Sequence, residues 1–176
     1  MRWMPGILCS LLLAAPSHSS ADVVDSTDSG FSLVYQSTIP GSPKSVYDHF
    51  VNAGSWWNPS HTWSGDSRNL SIDVAPGGGL LEKLPSGGFV RHLDIVYADP
   101  GSLLRFRGAL GPLQELALQG TMTVRFKPAG DQTELQVNYN VSGYAKGGLK
   151  AWAAPVNQVL TEQFDRLKKR VEGTLP

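Results

Sequence analysis

The sequence has 176 residues, and its 15 lysine and arginine residues balance its 15 aspartate and glutamate residues, so the formal net charge at pH 7 is zero. A balanced chain lacks the basic patch by which proteins bind nucleic acid or an anionic membrane surface, so we expect neither partner. The length fits one domain with a sizeable core and leaves no room for a second.

The first 21 residues have the features of a secretory signal. Met1 and Arg2 give a short positive start, an apolar stretch follows at residues 7–15, and small residues end at Ala21. We therefore predict a signal peptide over residues 1–21 that is cleaved before Asp22. A retained membrane helix is disfavoured, because the apolar stretch is far shorter than the roughly 20 residues that span a bilayer. No stable membrane insertion is expected after cleavage.

Cleavage would also remove Cys9, the only cysteine of the chain. The remaining chain then has no disulfide, no thiolate metal site and no cysteine nucleophile. Residues 22–29 are polar and lack periodicity, which predicts a flexible N-terminal arm. The folded domain is predicted to cover residues 30–173.

The domain begins with a strand and a short helix. Phe31, Leu33 and Tyr35 alternate with polar residues, a pattern typical of a half-buried strand. Ser42 and Pro43 then predict an N-cap and the first position of a helix.

The middle of the chain is predicted to be an antiparallel meander. Short apolar runs are separated by glycine and proline, which indicates strands joined by tight connections. The predicted strands cover residues 70–74, 79–84, 89–98, 103–108, 121–127 and 133–143.

The last element is a long amphipathic helix. Its apolar residues recur at helical spacing from Trp152 to Val171, with lysines and other polar residues on the opposite face. Pro155 lacks an amide proton, so we predict an irregular first turn.

Several short motifs, in this order of elements, resemble bacterial members of the SRPBCC superfamily, the START and birch-pollen-allergen-like group that includes polyketide cyclase-like and heat-shock ATPase activator-like proteins. The resemblance covers about residues 31–171, and its most specific part is Gly-Ala-Leu-Gly-Pro-Leu-Gln at residues 108–114. The other motifs are Ser-Trp-Trp-Asn-Pro at 55–59, His-Thr-Trp-Ser-Gly at 61–65, Gly-Gly-Gly at 77–79, Glu82, His92, Pro-Gly at 100–101, Leu-Arg at 104–105 and Gly-Tyr at 143–144. The resemblance implies an α+β helix-grip fold, in which a curved antiparallel sheet of six or seven strands wraps around the C-terminal helix.

The same resemblance implies a cavity for apolar small molecules and no single activity. We expect an exported binding protein for a hydrophobic or amphipathic small molecule, located in the bacterial periplasm or secreted. Two alternatives remain open, namely a cyclase or dehydratase enzyme and a protein-interaction module without a ligand. A co-chaperone role fits poorly, because an exported chain would not meet a cytosolic ATPase. No cofactor is expected.

The predicted ligand-binding residues are large apolar side chains. The tryptophan-rich segment is expected at the cavity mouth, although its rings can equally plug the end of the sheet. The final helix is expected to form the lid and the alternating strand residues the floor. The residues assigned to the mouth are Trp56, Trp57 and Trp63, those assigned to the lid are Trp152 and Val156, and those assigned to the floor are Phe106, Val124 and Tyr139.

His61, Glu82 and His92 are the candidate acid–base residues, because a histidine and a carboxylate can exchange protons near neutral pH. A structural role for the histidines is the simpler interpretation. His92 falls on the polar side of its run, so it is expected either to point outward or to sit on a bulge. A metal site is disfavoured because the spacing of the two histidines matches no short ligand motif. Arg105 is expected on the solvent face, with binding of a ligand carboxylate as the alternative.

Three further motif comparisons do not indicate a function. The glycine run at residues 77–79 is not a phosphate loop, since no lysine follows at the required spacing. No Gly-x-Ser-x-Gly nucleophile elbow occurs. The Gly-x-Trp of lipocalins is matched at residues 54–56, but a strand and a helix precede it here, which argues against that fold.

Overall fold

The computed structural model of the protein describes residues 20–175. The predicted signal therefore lies outside the described residues except for its last two. The strands of the described chain are β1 Ser20–Thr27, β2 Gly30–Pro40, β3 Leu70–Ile72, β4 Gly79–Lys83, β5 Phe89–Asp99, β6 Leu103–Arg107, β7 Ala117–Ala129 and β8 Gln132–Tyr144. The helices are α1 Pro43–Val51 and α2 Ala153–Val171.

The eight strands form one antiparallel sheet in the order β1-β2-β8-β7-β6-β5-β4-β3. The strands from β3 to β8 follow one another as a meander, and β2 closes onto β8. Helix α2 packs against β2 and β1 on the inner face. The predicted α+β helix-grip fold is confirmed, with eight strands where six or seven were expected.

The additional strand is β1, where the sequence had predicted a loose arm over residues 22–29. That prediction is wrong, because β1 pairs with β2 along its length, from Ser20 opposite Gln36 to Thr27 opposite Gly30. Val23 and Val24 are exposed, so backbone hydrogen bonds rather than buried side chains attach this edge strand. Side-chain periodicity does not reveal such a strand.

Helix α1 begins as predicted. The Ser42 side chain accepts a hydrogen bond from the Ser45 amide (3.3 Å), and Pro43 is the first helical residue. The buried face of α1 carries Phe50, whose ring lies 5.6 Å from the ring of Phe126 and 6.3 Å from that of Phe106, measured between centroids. These aromatic rings fill the middle of the sheet's inner face.

Helix α2 is preceded by a 3-10 turn, Lys150–Trp152, which confirms the predicted irregular start. Pro155 is the third residue of α2, where its missing amide costs little because first-turn amides have no partner within the helix. Leu160, Phe164 and Leu167 are buried. Phe164, which lies beyond the first two turns of α2, packs against the ring of Tyr35 on β2.

Candidate functional site

A cavity of about 390 Å³ lies between the start of α2 and the β3–β4–β5 end of the sheet. Apolar side chains form most of its wall. It is lined by Trp57, Ser60, His61, Thr62, Trp63, Leu70, Leu80, His92, Leu110, Gly111, Pro112, Leu113, Trp152, Pro155, Val156, Val159 and Leu160. Its volume falls in the range of small-molecule sites, and most of its few polar side chains lie on one segment, residues 60–62.

His92 reaches the cavity because β5 contains a β-bulge. Leu80 pairs with Leu93 whereas the next residue, Leu81, pairs with Arg91, so His92 is the extra residue on β5. The bulge lets two consecutive residues, His92 and Leu93, both be buried. Of the two orientations that the sequence left open, the structure has the bulge.

Glu82 lies directly behind His92. Its side chain has no solvent exposure, and its Oε2 lies 2.9 Å from Nε2 of His92. Its Oε1 accepts a hydrogen bond from the backbone amide of Ser64 at 2.5 Å. Glu82 and Leu80 are two residues apart on β4 and both are buried, so the two-residue period of a strand places both side chains on the inner face.

The carboxylate of Glu82 is stabilised in its ionised form. Burial raises its pKa, but hydrogen bonds from Ser64, His92 and the Trp63 backbone outweigh that effect and hold the pKa below its usual value. An ionised carboxylate can only accept hydrogen bonds. Glu82 therefore orients the imidazole ring and fixes the loop that carries Trp63.

His61 belongs to a different group, at the cavity mouth. Its Nε2 lies 3.2 Å from Oε2 of Glu162 on α2, and the Asn58 side chain donates to the other oxygen of that carboxylate. The hydrogen bond from Asn58, reinforced by His61, lowers the pKa of Glu162 despite partial burial. The Asn58 backbone amide also donates to the Gln163 side chain at 2.7 Å. This group joins the tryptophan-rich loop to α2, so His61 and His92 line the same cavity but belong to separate hydrogen-bonded groups.

The loop at residues 108–114 forms another wall. The Tyr139 hydroxyl accepts from the Leu110 amide at 3.2 Å and donates to the Gly108 carbonyl at 3.3 Å. Burial raises the pKa of Tyr139 to about 12, so the hydroxyl keeps its proton. Gly120 is required beneath this ring, since a Cβ there would lie 2.9 Å from the Tyr139 hydroxyl oxygen. The Gln114 side chain donates to the Arg91 carbonyl at 3.0 Å and ties the loop to β5.

The structure places four of the predicted ligand-binding residues on the cavity and four away from it. Trp57, Trp63, Trp152 and Val156 line the cavity, and Trp63 is 51% exposed at its edge. Trp56, Phe106, Val124 and Tyr139 are buried in the core instead. The ring of Phe50 on α1 packs over Phe106 on β6 and Phe126 on β7, which takes up the space above these strands. The floor is formed by Leu70, Leu80 and His92.

The remaining wall residues were not predicted as ligand contacts. Val159 and Leu160 were on the predicted apolar face of α2, and residues 110–113 were recognised only as a family motif. Arg105 does lie on the outer side of the sheet, where its Nε donates to the Thr123 hydroxyl at 3.1 Å and its guanidinium stacks over Tyr97.

A model of the family described as polyketide cyclase / dehydrase and lipid transport matches residues 31–172. The chain belongs to this family. The resemblance to the SRPBCC superfamily is thereby confirmed. No curated protein matches the chain.

Solved structures support the fold of this family member. CalU16 from Micromonospora echinospora is 11% identical, with a TM-score of 0.60 over 92% of this chain and 87% of that protein. An uncharacterised protein from Rhizobium leguminosarum is 17% identical, with a TM-score of 0.58 over 89% of this chain and 99% of its own. The di-domain ARO/CYC StfQ from the steffimycin biosynthetic pathway is 15% identical, with a TM-score of 0.55 over 84% of this chain and 51% of StfQ. At these identities the similarity concerns the fold.

Within residues 20–175, no group of three or more histidine, cysteine or acidic side chains is arranged to hold a metal ion. None of the helices in that range is long and apolar enough to cross a membrane.

The buried carboxylate leads to a prediction about stability and pH. Because the pKa of Glu82 is lower in the folded chain than its usual value of 4.5, its stabilising effect is complete above pH 4.5 and is lost as the pH falls through the folded pKa. We expect wild type to exceed Glu82→Gln in free energy of unfolding by about 1–3 kcal/mol at pH 7. This difference should shrink as the pH falls from 5 to 3, measured by urea unfolding.

The control for this comparison is Glu172→Gln, at the exposed end of α2. It should differ from wild type by less than about 0.5 kcal/mol throughout. If the difference in free energy of unfolding between wild type and Glu82→Gln stays constant from pH 7 to pH 3, the assignment of an ionised Glu82 is wrong.

Proposed function

We propose that this protein binds an apolar or amphipathic small molecule in the cavity between α2 and the β3–β4–β5 end of the sheet. The observation that carries the proposal is the cavity itself, whose wall is mainly leucine, tryptophan, valine and proline. Removing apolar ligand surface from water stabilises a complex by about 25 cal/mol per Å². A ligand of two or three rings therefore has enough surface to bind usefully without any covalent chemistry.

The arrangement of the wall supports access for such a ligand. Trp63 is half exposed at the edge of the cavity, while His61 and Trp152 line the wall near it. Leu80 and Leu160 are buried further in. The wall thus runs from amphipathic rings at the opening to aliphatic side chains inside, which suits a ligand with one polar end.

Filling the cavity should weaken binding. Val156 is a half-buried wall residue on α2, and in Val156→Trp the indole would occupy ligand space. We expect the dissociation constant for the neutral fluorescent probe N-phenyl-1-naphthylamine to rise at least about tenfold, equivalent to about 1.4 kcal/mol. Fluorescence titration measures the change.

The matched control is Val96→Trp, which adds the same indole at an exposed position of β5 outside the cavity. It should bind the probe as wild type does. The proposal fails if wild type shows no saturable uptake, or if both variants bind equally well. If wild type binds the probe and Val156→Trp does not, native mass spectrometry of protein purified from its own host would identify the natural ligand.

A second candidate function is acid–base catalysis of a cyclisation or dehydration. The specific observation is the Glu82–His92 pair, in which the imidazole faces an apolar cavity and an ionised carboxylate supports it from behind. In an aldol cyclisation, His92 would take a proton from the carbon next to a ketone, a C–C bond would form to a second carbonyl carbon, and the resulting alkoxide oxygen would take the proton back. Loss of water would then give the enone. The supporting carboxylate would stabilise the imidazolium formed in the first step.

Heptane-2,6-dione tests this candidate, because it cyclises to 3-methylcyclohex-2-enone and water with no other reactant. We expect enone absorbance to appear faster with wild type than in buffer, and His92→Phe to lower the rate by about 100-fold. The control is His49→Ala, since His49 lies on α1 outside the cavity wall. A wild-type rate equal to that of buffer would reject catalysis of this class and leave binding as the function.

Export is also a proposal, supported by the sequence of residues 1–21. Cleavage after Ala21 would remove two residues of β1 and leave its pairs with β2 from Asp22 onward. We expect the chain expressed in a Gram-negative host to be recovered from the periplasm with Asp22 as its first residue, measured by intact-protein mass. Recovery of the full-length chain from the cytoplasm would contradict export.

A further inference from the structure

The Glu82–His92 pair determines which kind of polar group the cavity can accept. Glu82 is ionised, so its carboxylate can only accept hydrogen bonds. In the 2.9 Å hydrogen bond between Nε2 of His92 and Oε2 of Glu82, the proton is therefore carried by Nε2. An imidazole with its proton on Nε2 has a lone pair on its other nitrogen, Nδ1. Among residues 20–175, only Glu82 hydrogen-bonds the ring, which leaves Nδ1 available to a ligand in the cavity.

The charged side chains that hydrogen-bond the two wall histidines are both carboxylates. None of the described wall residues is a lysine or arginine, and the nearest carboxylates are Glu82 behind His92 and Glu162 beside His61. The arginine on β5, Arg91, is exposed and pairs with Asp94 and the Gly77 carbonyl. A ligand anion placed against His92 would therefore lie in mainly apolar surroundings with a carboxylate behind its polar partner, which is costly.

We infer that the cavity selects neutral apolar molecules that carry a hydroxyl group, such as phenols, enols or alcohols, and that this hydroxyl donates to Nδ1 of His92. Carboxylates of the same skeleton are rejected. This inference rests on the proposed binding function and adds the class of ligand to it. A hydroxyl donor matches the lone pair, needs no change of protonation and brings no further charge into the cavity.

Four probes with one ring skeleton test the inference in the wild-type protein. They are phenanthrene, 9-phenanthrol, 9-methoxyphenanthrene and phenanthrene-9-carboxylate, each titrated by fluorescence at pH 7, where the phenol is neutral and the acid is ionised. We expect 9-phenanthrol to bind roughly three- to tenfold more tightly than the hydrocarbon and the ether, as a single buried hydrogen bond would give. The carboxylate should bind more weakly than the hydrocarbon.

Glu82→Gln tests the role of the pair. The new amide can accept from the Ser64 backbone and donate to Nε2 of His92, so the ring proton moves to Nδ1 and a donor faces the cavity. We expect the preference for phenol over ether to fall to within about twofold, and the carboxylate to gain affinity relative to the hydrocarbon. His92→Phe, which keeps a ring at the same place, should bind phenol, ether and hydrocarbon alike. Far-UV circular dichroism checks that both variants fold.

The outcomes separate this inference from the proposed function. If none of the four probes binds saturably, the proposed function fails and the inference with it. If all bind and the ether or the carboxylate equals or exceeds the phenol in wild type, binding stands and the inference is overturned. A phenol preference that persists unchanged in Glu82→Gln or His92→Phe also overturns it. The wild-type series alone decides the main point, even if a variant does not fold.

Discussion

The buried carboxylate of Glu82 is the interaction on which the site depends. An ionised group without solvent contact is tolerated only when its oxygens are fully hydrogen-bonded, and here the donors are the Ser64 and Trp63 backbone and the His92 ring. Two of these donors lie in the loop that closes the cavity, and the third is on the bulge of β5. One charge thus holds together a loop, a strand irregularity and the orientation of the polar group that faces the ligand.

The inner face of the sheet is divided between packing and binding. Over β6 and β7 the rings of α1 and the Trp56 loop pack on Phe106 and Phe126, and these side chains are buried. Near β3, β4 and β5 a cavity remains between Leu70, Leu80 and His92 on the strands and the start of α2. Because one helix covers both regions, the packed half can fix the position of α2 while the other half borders the cavity.

The two proposed functions, binding and acid–base catalysis, would use the same arrangement of residues. A histidine supported by a buried carboxylate and aimed into apolar space is preorganised either to hold a hydroxyl group or to move a proton. Which of the two occurs depends on whether the ligand presents an acidic carbon near Nδ1. The second histidine does not enter this choice, because His61 joins Glu162 at the mouth and holds the tryptophan-rich loop against α2.

The sequence by itself determined the main elements of the domain. Alternation along β2 and β8, the Ser42–Pro43 helix start and the long apolar face ending near Val171 were all predictable, because each follows from local periodicity or capping. The family followed from short motifs, of which residues 108–114 form a cavity wall held by Tyr139. Of the residues that the sequence assigned to ligand binding, Trp57, Trp63, Trp152 and Val156 line the cavity.

Other features were decided by tertiary structure. Strand β1 forms through backbone hydrogen bonds, which leave no apolar pattern to read. The cavity lies over β3, β4 and β5 because α1 fills the alternative place, and alternation in a single strand does not say which part of a sheet another element covers. Above all, the bulge at His92 depends on the register between β4 and β5. A shift of one residue between two strands decides which side chain faces inward, and only the paired sheet contains that information.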